Sequence, residues 1–372
     1  VTKSATSGSK AGRYDWVDYA KGIAIFLVVY RHSYLGLKLS GIDTADYMYL
    51  EYGNIMFFSF RMPLFFIVSG IFVSSSLVKR GLGPFLGQKV KTILYPYFLW
   101  GTLQITFQLI LAPYVNSSSR SGADYLNLLW NPHGVDQFWY LYALFNVTLL
   151  YALLRSLLHL KPVAQLFLGF ILYYLSFYSS QQGWKLEFLQ DVLHYYVFFA
   201  IGDVTASFFR NEKNMAFLGS FRLFWLILPF FIFAQVYFLL TNIKHDPEDY
   251  RYVETYEPTL FFLVVLSGCA FMLSISFLLH RFKSATWLRI IGFHSLYIYV
   301  SHVFITSGIR VLFTRVLGIH NLPLMLALSI GLGILLPILF YRFCQARGWY
   351  FFFSLDKERI KLKPRAGKVV AE

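Results

Sequence analysis

The chain has 372 residues, of which 57% are hydrophobic and only 14% charged, with a net charge of +14 and a mean hydropathy of +0.54. That balance excludes an ordinary soluble domain and points to an integral membrane protein. Its Phe 40, Tyr 27 and Trp 8 suit interfacial belts and cavity walls. The basic residues alternate with apolar runs instead of forming one patch, so membrane topology accounts for them better than nucleic acid does. Cys269 and Cys344 both fall in apolar stretches, which excludes a disulfide framework or a thiolate metal site.

The first thirteen residues, rich in Ser, Gly and Lys, read as a flexible cytoplasmic N-terminus. They carry no cleavable signal peptide, because the apolar run that follows is long enough to span. Apolar stretches of bilayer length are predicted near 16–38, 53–78, 92–113, 137–160 and 163–180, and again near 189–209, 222–243, 257–280, 288–313 and 322–345. The expected fold is therefore all-α and polytopic, with about ten transmembrane helices. The domain plan is residues 1–13, a membrane domain over 14–348, and a basic cytoplasmic tail over 349–372.

Charge sets the orientation. With the N-terminus inside, the inner segments hold Lys3, Lys10 and Arg13, then Lys79, Arg80, Lys89 and Lys91, then Arg155 and Lys161. They continue with Arg210, Lys213 and Arg222, with Arg281, Lys283 and Arg289, and with Arg342, Arg347 and the tail from Lys357 to Lys368. The outer loops carry Asp43, Asp46, Glu51 and the acidic run Asp246 to Glu257. Both termini are expected in the cytoplasm. The loop Tyr114 to Asp136, with the turn Asn131-Pro132-His133-Gly134, is placed outside as a cap on the outer mouth. The acidic run reads as a solvated loop, and no cluster has metal-ligand spacing.

Chemistry is expected on the first span, where Lys21, Arg31 and His32 interrupt the apolar run. An ionisable group at that depth is costly unless it faces a polar cavity, so function is the default reading. Lys21 and His32 are eleven residues apart, about three turns plus 20°, and so share a face about 16 Å apart along the axis. His32 is the candidate general base, against the alternative of a structural imidazole bonded to a neighbouring helix. Asp191 and His194 are expected to border a polar cavity, with Asp203 nearer the cytoplasmic side.

Four segments carry a resemblance. They are Asp18-Tyr19-Ala20-Lys21 through Tyr30-Arg31-His32, Arg61-Met62-Pro63-Leu64-Phe65-Phe66, Lys89 to Tyr97 with Phe138-Trp139-Tyr140-Leu141, and Ile291 to His302 with its Ser295-Leu296-Tyr297. In order and spacing they resemble the acyltransferase-3 family of membrane-bound O-acyltransferases, in particular its fucose O-acetylase-like branch. Arg61 departs from that branch, which usually has histidine there. The resemblance implies transfer of an acyl group, acetyl or else succinyl, from cytoplasmic acyl-CoA to a hydroxyl of an extracytoplasmic glycan or lipid-linked sugar, with no metal.

On this reading His32, Arg31, Arg61 and His302 are the catalytic candidates. Lys21, Lys79, Arg80, Lys89 and Lys91 would hold the phosphates of acetyl-CoA, although the loop lysines and arginine are equally what topology demands. Trp139, His194 and Arg310 would contact the acceptor. The expected location is a bacterial cytoplasmic membrane, with the bilayer as partner, no nucleic acid, and a homo-oligomer left open. The rival class is a proton-coupled transporter or flippase of a sugar-linked lipid, which also needs intramembrane cations but should show paired broken-helix repeats.

Overall fold

The computed structural model describes residues 14–112, 120–247 and 249–355. The expectations for Lys3, Lys10, Arg13 and the tail from Lys357 onward, and for Tyr114 and Glu248, fall outside the described residues. The helices are α1 (Asp15–Lys38), α2 (Met48–Met56), α3 (Phe58–Gly70), α4 (Val73–Arg80), α5 (Leu82–Lys89), α6 (Tyr95–Ile110), α7 (Trp139–Leu157) and α8 (Pro162–Gln181). They continue with α9 (Phe188–Arg210), α10 (Met215–Leu218), α11 (Phe221–His245), α12 (Tyr252–Tyr256), α13 (Pro258–Phe282), α14 (Thr286–Phe293), α15 (Ser295–Val311) and α16 (Leu322–Arg347). The protein is an all-α polytopic membrane protein.

Eight helical stretches of the described chain are long and apolar enough to cross a bilayer. Two of the predicted spans fall short of that measure. The polar interruptions of α1 at Lys21, Arg31 and His32 lower its hydropathy, and polar residues such as Gln104 and Gln108 do the same for α6. Local chemistry sets the ends. Asp15 and Asp18 sit in the first turn of α1 and Lys38 in its last, each matched to the helix dipole. Asn321 Oδ1 accepts from the Leu324 amide at 2.9 Å to start α16, and Gly348, at φ 75°, stops it in the left-handed conformation.

Several predicted spans are broken. The stretch expected over 53–78 is α2, α3 and α4 end to end, interrupted at Phe57 and at Ile71–Phe72 and continuous through Pro63. The stretch over 288–313 is broken at His294 into α14 and α15. Pro96 lies in the first turn of α6, just after a π-helical turn over Val90–Leu94.

The bundle is tightest where glycines let backbones touch. A Cβ on Gly202 of α9 would lie 2.1 Å from the Ile67 carbonyl oxygen, and one on Gly70 of α3 would lie 2.0 Å from that of Phe199. The same holds between α1 and α14, where a Cβ on Gly292 would meet the Asp18 carbonyl oxygen at 1.7 Å. Such small-residue seams are how helices associate when lipid removes the hydrophobic incentive. Trp225, Phe230 and Phe233 of α11 point outward and are exposed, as a lipid-facing helix requires. Gly202→Ala is expected to destabilise the protein by about 1–3 kcal/mol through overpacking. Gly331→Ala, where nothing lies within 4 Å of the added methyl, should be neutral in the same thermal unfolding measurement.

Candidate functional site

The helices enclose a cavity of about 1080 Å³ lined by α1, α3, α6, α9, α12 and α15 together with the 132–138 segment. Arg31 and His32 of α1 open onto it, because the polar positions of that helix face inward. Phe58 and Arg61 of α3 lie opposite. The Arg31 guanidinium sits 4.9 Å from the Phe58 ring centroid, and that of Arg61 sits 5.5 Å from the same ring. Arg61 is 4% exposed, and its Nη1 donates to the Leu27 carbonyl at 3.3 Å.

The imidazoles of His32 and His302 approach to 5.2 Å between centroids, tilted by 59°. His302 is fully buried on α15, and its Nδ1 lies 3.0 Å and 2.9 Å from the carbonyl oxygens of Ile298 and Tyr299. Carbonyl oxygens only accept, so Nδ1 carries the proton and Nε2 holds a lone pair. Among the described residues that Nε2 has no hydrogen-bond partner. The depth expected for His302 from helix rise therefore brings it to His32.

The far wall is built by short segments. A 3₁₀ turn over Pro132–Phe138 is tied to α6 and α15: Gln104 Nε2 donates to Asp136 at 2.7 Å, Gln137 Nε2 donates to Gln104 at 2.7 Å, and the Tyr299 hydroxyl donates to the Gln137 carbonyl. This places His133 over the Trp139 indole, 4.9 Å away and 15° from parallel, with its Nε2 2.9 Å from Oδ1 of buried Asp191. Trp139 lines the cavity, yet His133 covers one face of its ring and Tyr195 packs 5.5 Å away. His194 lines it too, among Tyr173, Phe177 and Tyr195. Arg310 lines it from α15, with Nη1 3.4 Å from the Gly36 carbonyl.

Among its described residues, the acidic segment after α11 is a solvated loop only up to Arg251, beyond which it forms α12. Asn242 Oδ1 accepts from the Val253 amide at 2.9 Å, and this folds α12 over the cavity. Arg251 and Glu254 thereby reach its lining, with Nε donating to Oε2 at 3.0 Å. Burial opposes ionisation of Glu254, but the Arg251 guanidinium, together with His194 and Arg31, outweighs it and holds the carboxyl below the usual carboxylate range.

Other expected site residues lie elsewhere. Lys21 is half-buried on α1 and is not among the cavity-lining residues, so its shared helix face with His32 does not make one continuous cavity. Lys79, Arg80 and Lys91 are exposed, and Lys89 lies over the Phe85 ring at 5.2 Å. Asp203 accepts from Ser74 and Tyr151 at 2.6 Å and 2.7 Å in a buried network outside the cavity. His133, Arg251 and Glu254 were not singled out as site residues, since a histidine in a turn and one arginine in an acidic run carry no spacing signal. No group of three or more potential metal ligands is assembled among the described residues.

A family model described as an acyltransferase domain, acyltransferase-3, matches residues 14–342. Over 86 residues the chain is 33% identical to Nodulation protein NolL of Mesorhizobium japonicum, a stretch covering 23% of this chain and 22% of that protein. No solved structure matches.

Glu254→Gln is expected to cost about 1 kcal/mol near neutral pH, as a partly exposed pair does. Because the folded-state pKa is depressed, the stability gap to the wild type should be full above the carboxyl's ordinary value of 4.5. It should close as pH falls through the lower folded value, as followed by thermal unfolding across a pH series.

Proposed function

The chain belongs to the acyltransferase-3 family, and from that premise we propose that it is a membrane O-acyltransferase moving an acyl group from cytoplasmic acyl-CoA to a hydroxyl of an extracytoplasmic glycan or lipid-linked sugar. Acetyl is the favoured group, and the fucose O-acetylase-like branch the favoured kinship. The setting is a bacterial cytoplasmic membrane with both termini inside. The observation that carries the reading is the His32–His302 pair, held at 5.2 Å at the edge of a cavity that also receives Arg31 and Arg61 on its α1–α3 side.

The lone pair on His302 Nε2 has no partner among the described residues, and with the two rings 5.2 Å apart between centroids one bridging water would let it accept from the N–H of His32. That fixes the His32 tautomer so that its other ring nitrogen is a base. His32 removes the proton of the acceptor hydroxyl as the oxygen attacks the thioester carbonyl. The carbonyl oxygen gains negative charge, which the potential of Arg31 and Arg61 stabilises. The intermediate collapses with cleavage of the carbon–sulfur bond, and the His32 imidazolium returns its proton to the departing thiolate. An ester and free coenzyme A thiol result, with atoms and charge balanced.

Donor and acceptor need not cross the bilayer whole if they meet at His32 from opposite sides. Lys21 and the cluster Lys79, Arg80, Lys89 and Lys91 are assigned to the donor's phosphates by charge. His133 with Asp191, His194, Trp139 and Arg310 are assigned to the acceptor by their position in the cavity lining.

Purified protein in nanodiscs with radiolabelled acetyl-CoA tests the assignment. His32→Ala is expected to lower thioester turnover by about 10²–10⁴-fold with donor binding retained, and Lys21→Ala to weaken donor binding. His302→Ala should cost less than His32→Ala, because it removes the orienting acceptor and leaves the base. Full activity in His32→Ala would reassign the base, whereas movement of intact sugar-lipid without ester formation would favour the transporter reading.

A further inference from the structure

The charges of the cavity do not balance. Its carboxylates, and the one on neighbouring α2, are each committed to a cation or histidine: Glu254 to Arg251 at 3.0 Å, Asp191 to His133 at 2.9 Å, Asp136 to Arg120 at 3.2 Å and Glu51 to Lys38 at 3.1 Å. Arg310 on α15 is engaged at the Gly36 carbonyl, and Arg31 and Arg61 remain on the α1–α3 side. Among the described residues neither forms an ion pair, and both guanidiniums lie against the one Phe58 ring. Of the five N–H donors an arginine offers, Arg61 spends one on the Leu27 carbonyl.

A ring face and a backbone carbonyl soften a buried positive charge without neutralising it, and a second cation beside the first adds repulsion. The oxyanion of acyl transfer lasts only as long as the tetrahedral intermediate, so it cannot balance the pair before reaction. A group that is anionic in the ground state can. We propose that Arg31 and Arg61 form a subsite for a fixed anionic group, carboxylate or phosphate, carried by a substrate close to its reacting atom. The proposal rests on the acyl-transfer reading and narrows its substrates to acidic ones.

The phosphates of coenzyme A do not fit this role. The whole pantetheine arm separates them from the thioester, so with the thioester at His32 they lie far from Arg31, the adjacent residue. Two sources present the right chemistry: an acceptor bearing a carboxylate or phosphate, or a donor whose acyl group is a dicarboxylic acid. In both, paired guanidiniums supply charge-assisted hydrogen bonds to the anion's oxygens.

The test uses the full chain in nanodiscs at matched ionic strength. Thermal midpoints are recorded with glucose, glucuronate, glucose 6-phosphate and succinate. The anionic probes are expected to raise the midpoint and glucose to leave it unmoved, with the rise lost in Arg61→Met and retained in Arg61→Lys. Initial rates then compare glucose with glucuronate as acceptor for acetyl-CoA, and acetyl-CoA with succinyl-CoA as donor to glucose.

A preference of about tenfold or more in kcat/KM for one anionic partner is expected, the scale of one charge-assisted hydrogen bond, collapsing towards unity in Arg61→Met. Preference among acceptors assigns the anion to the acceptor, and preference among donors assigns it to the acyl chain. Stabilisation by anions with no transfer from any donor would uphold the subsite and sink the acyltransferase reading. Equal midpoints for neutral and anionic probes, or a preference that survives Arg61→Met unchanged, would overturn the subsite.

Discussion

The architecture depends on one constraint: charge carried into a low-dielectric slab must be given a polar place to stand. α1 brings Arg31 and His32 into the interior of the bundle, and α3 brings Arg61 to the same place. Once those groups are fixed, the rest of the wall follows. α15 presents His302, α9 presents Asp191, and the 132–138 turn and α12 add the remaining polar groups. Helices that face lipid, such as α11, carry their large apolar side chains outward.

The site is also a study in how charges are shared out. Where a carboxylate is available, a cation or histidine meets it at about 3 Å, as at Arg251 with Glu254 and His133 with Asp191. Around His32 the pattern stops, and aromatic faces and carbonyls take the place of counter-ions. That contrast separates a rim of ion pairs from an inner region whose two arginines meet a ring face and a backbone carbonyl instead.

Much of this was legible before any coordinates. Hydropathy marks the membrane spans because crossing a bilayer demands a fixed length of apolar helix, and the polar residues of α1 stand out against that background. Helix rise placed His302 near His32 in depth, and the rings do meet. The breaks at Phe57 and Ile71–Phe72 were hidden because the residues at each break are apolar, and that at His294 because a His-Ser pair can also sit inside a continuous span. The turn at residues 131–134 was legible, but its docking onto α6 and α15, and the whole of α12, were hidden for the opposite reason. These segments are short and polar, and their positions depend on single hydrogen bonds such as Asn242 to the Val253 amide, which no periodicity records. Lys21 shows the limit of helical-wheel arithmetic: a shared face predicts a direction, whereas neighbouring helices decide where the cavity ends.

The glycine seams bear on which parts of the wall can vary. With α1 pressed backbone to backbone on α14, and α3 on α9, neither pair can slide without forcing carbonyl oxygens into Cα atoms. Those seams sit at Asp18 and Gly22 of α1 and at Gly70 of α3, whereas the remaining wall is made of smaller parts, the five-residue α12 and the 132–138 turn, each held by a few side-chain hydrogen bonds. Side chains in those short segments can therefore be exchanged without disturbing either backbone-to-backbone contact.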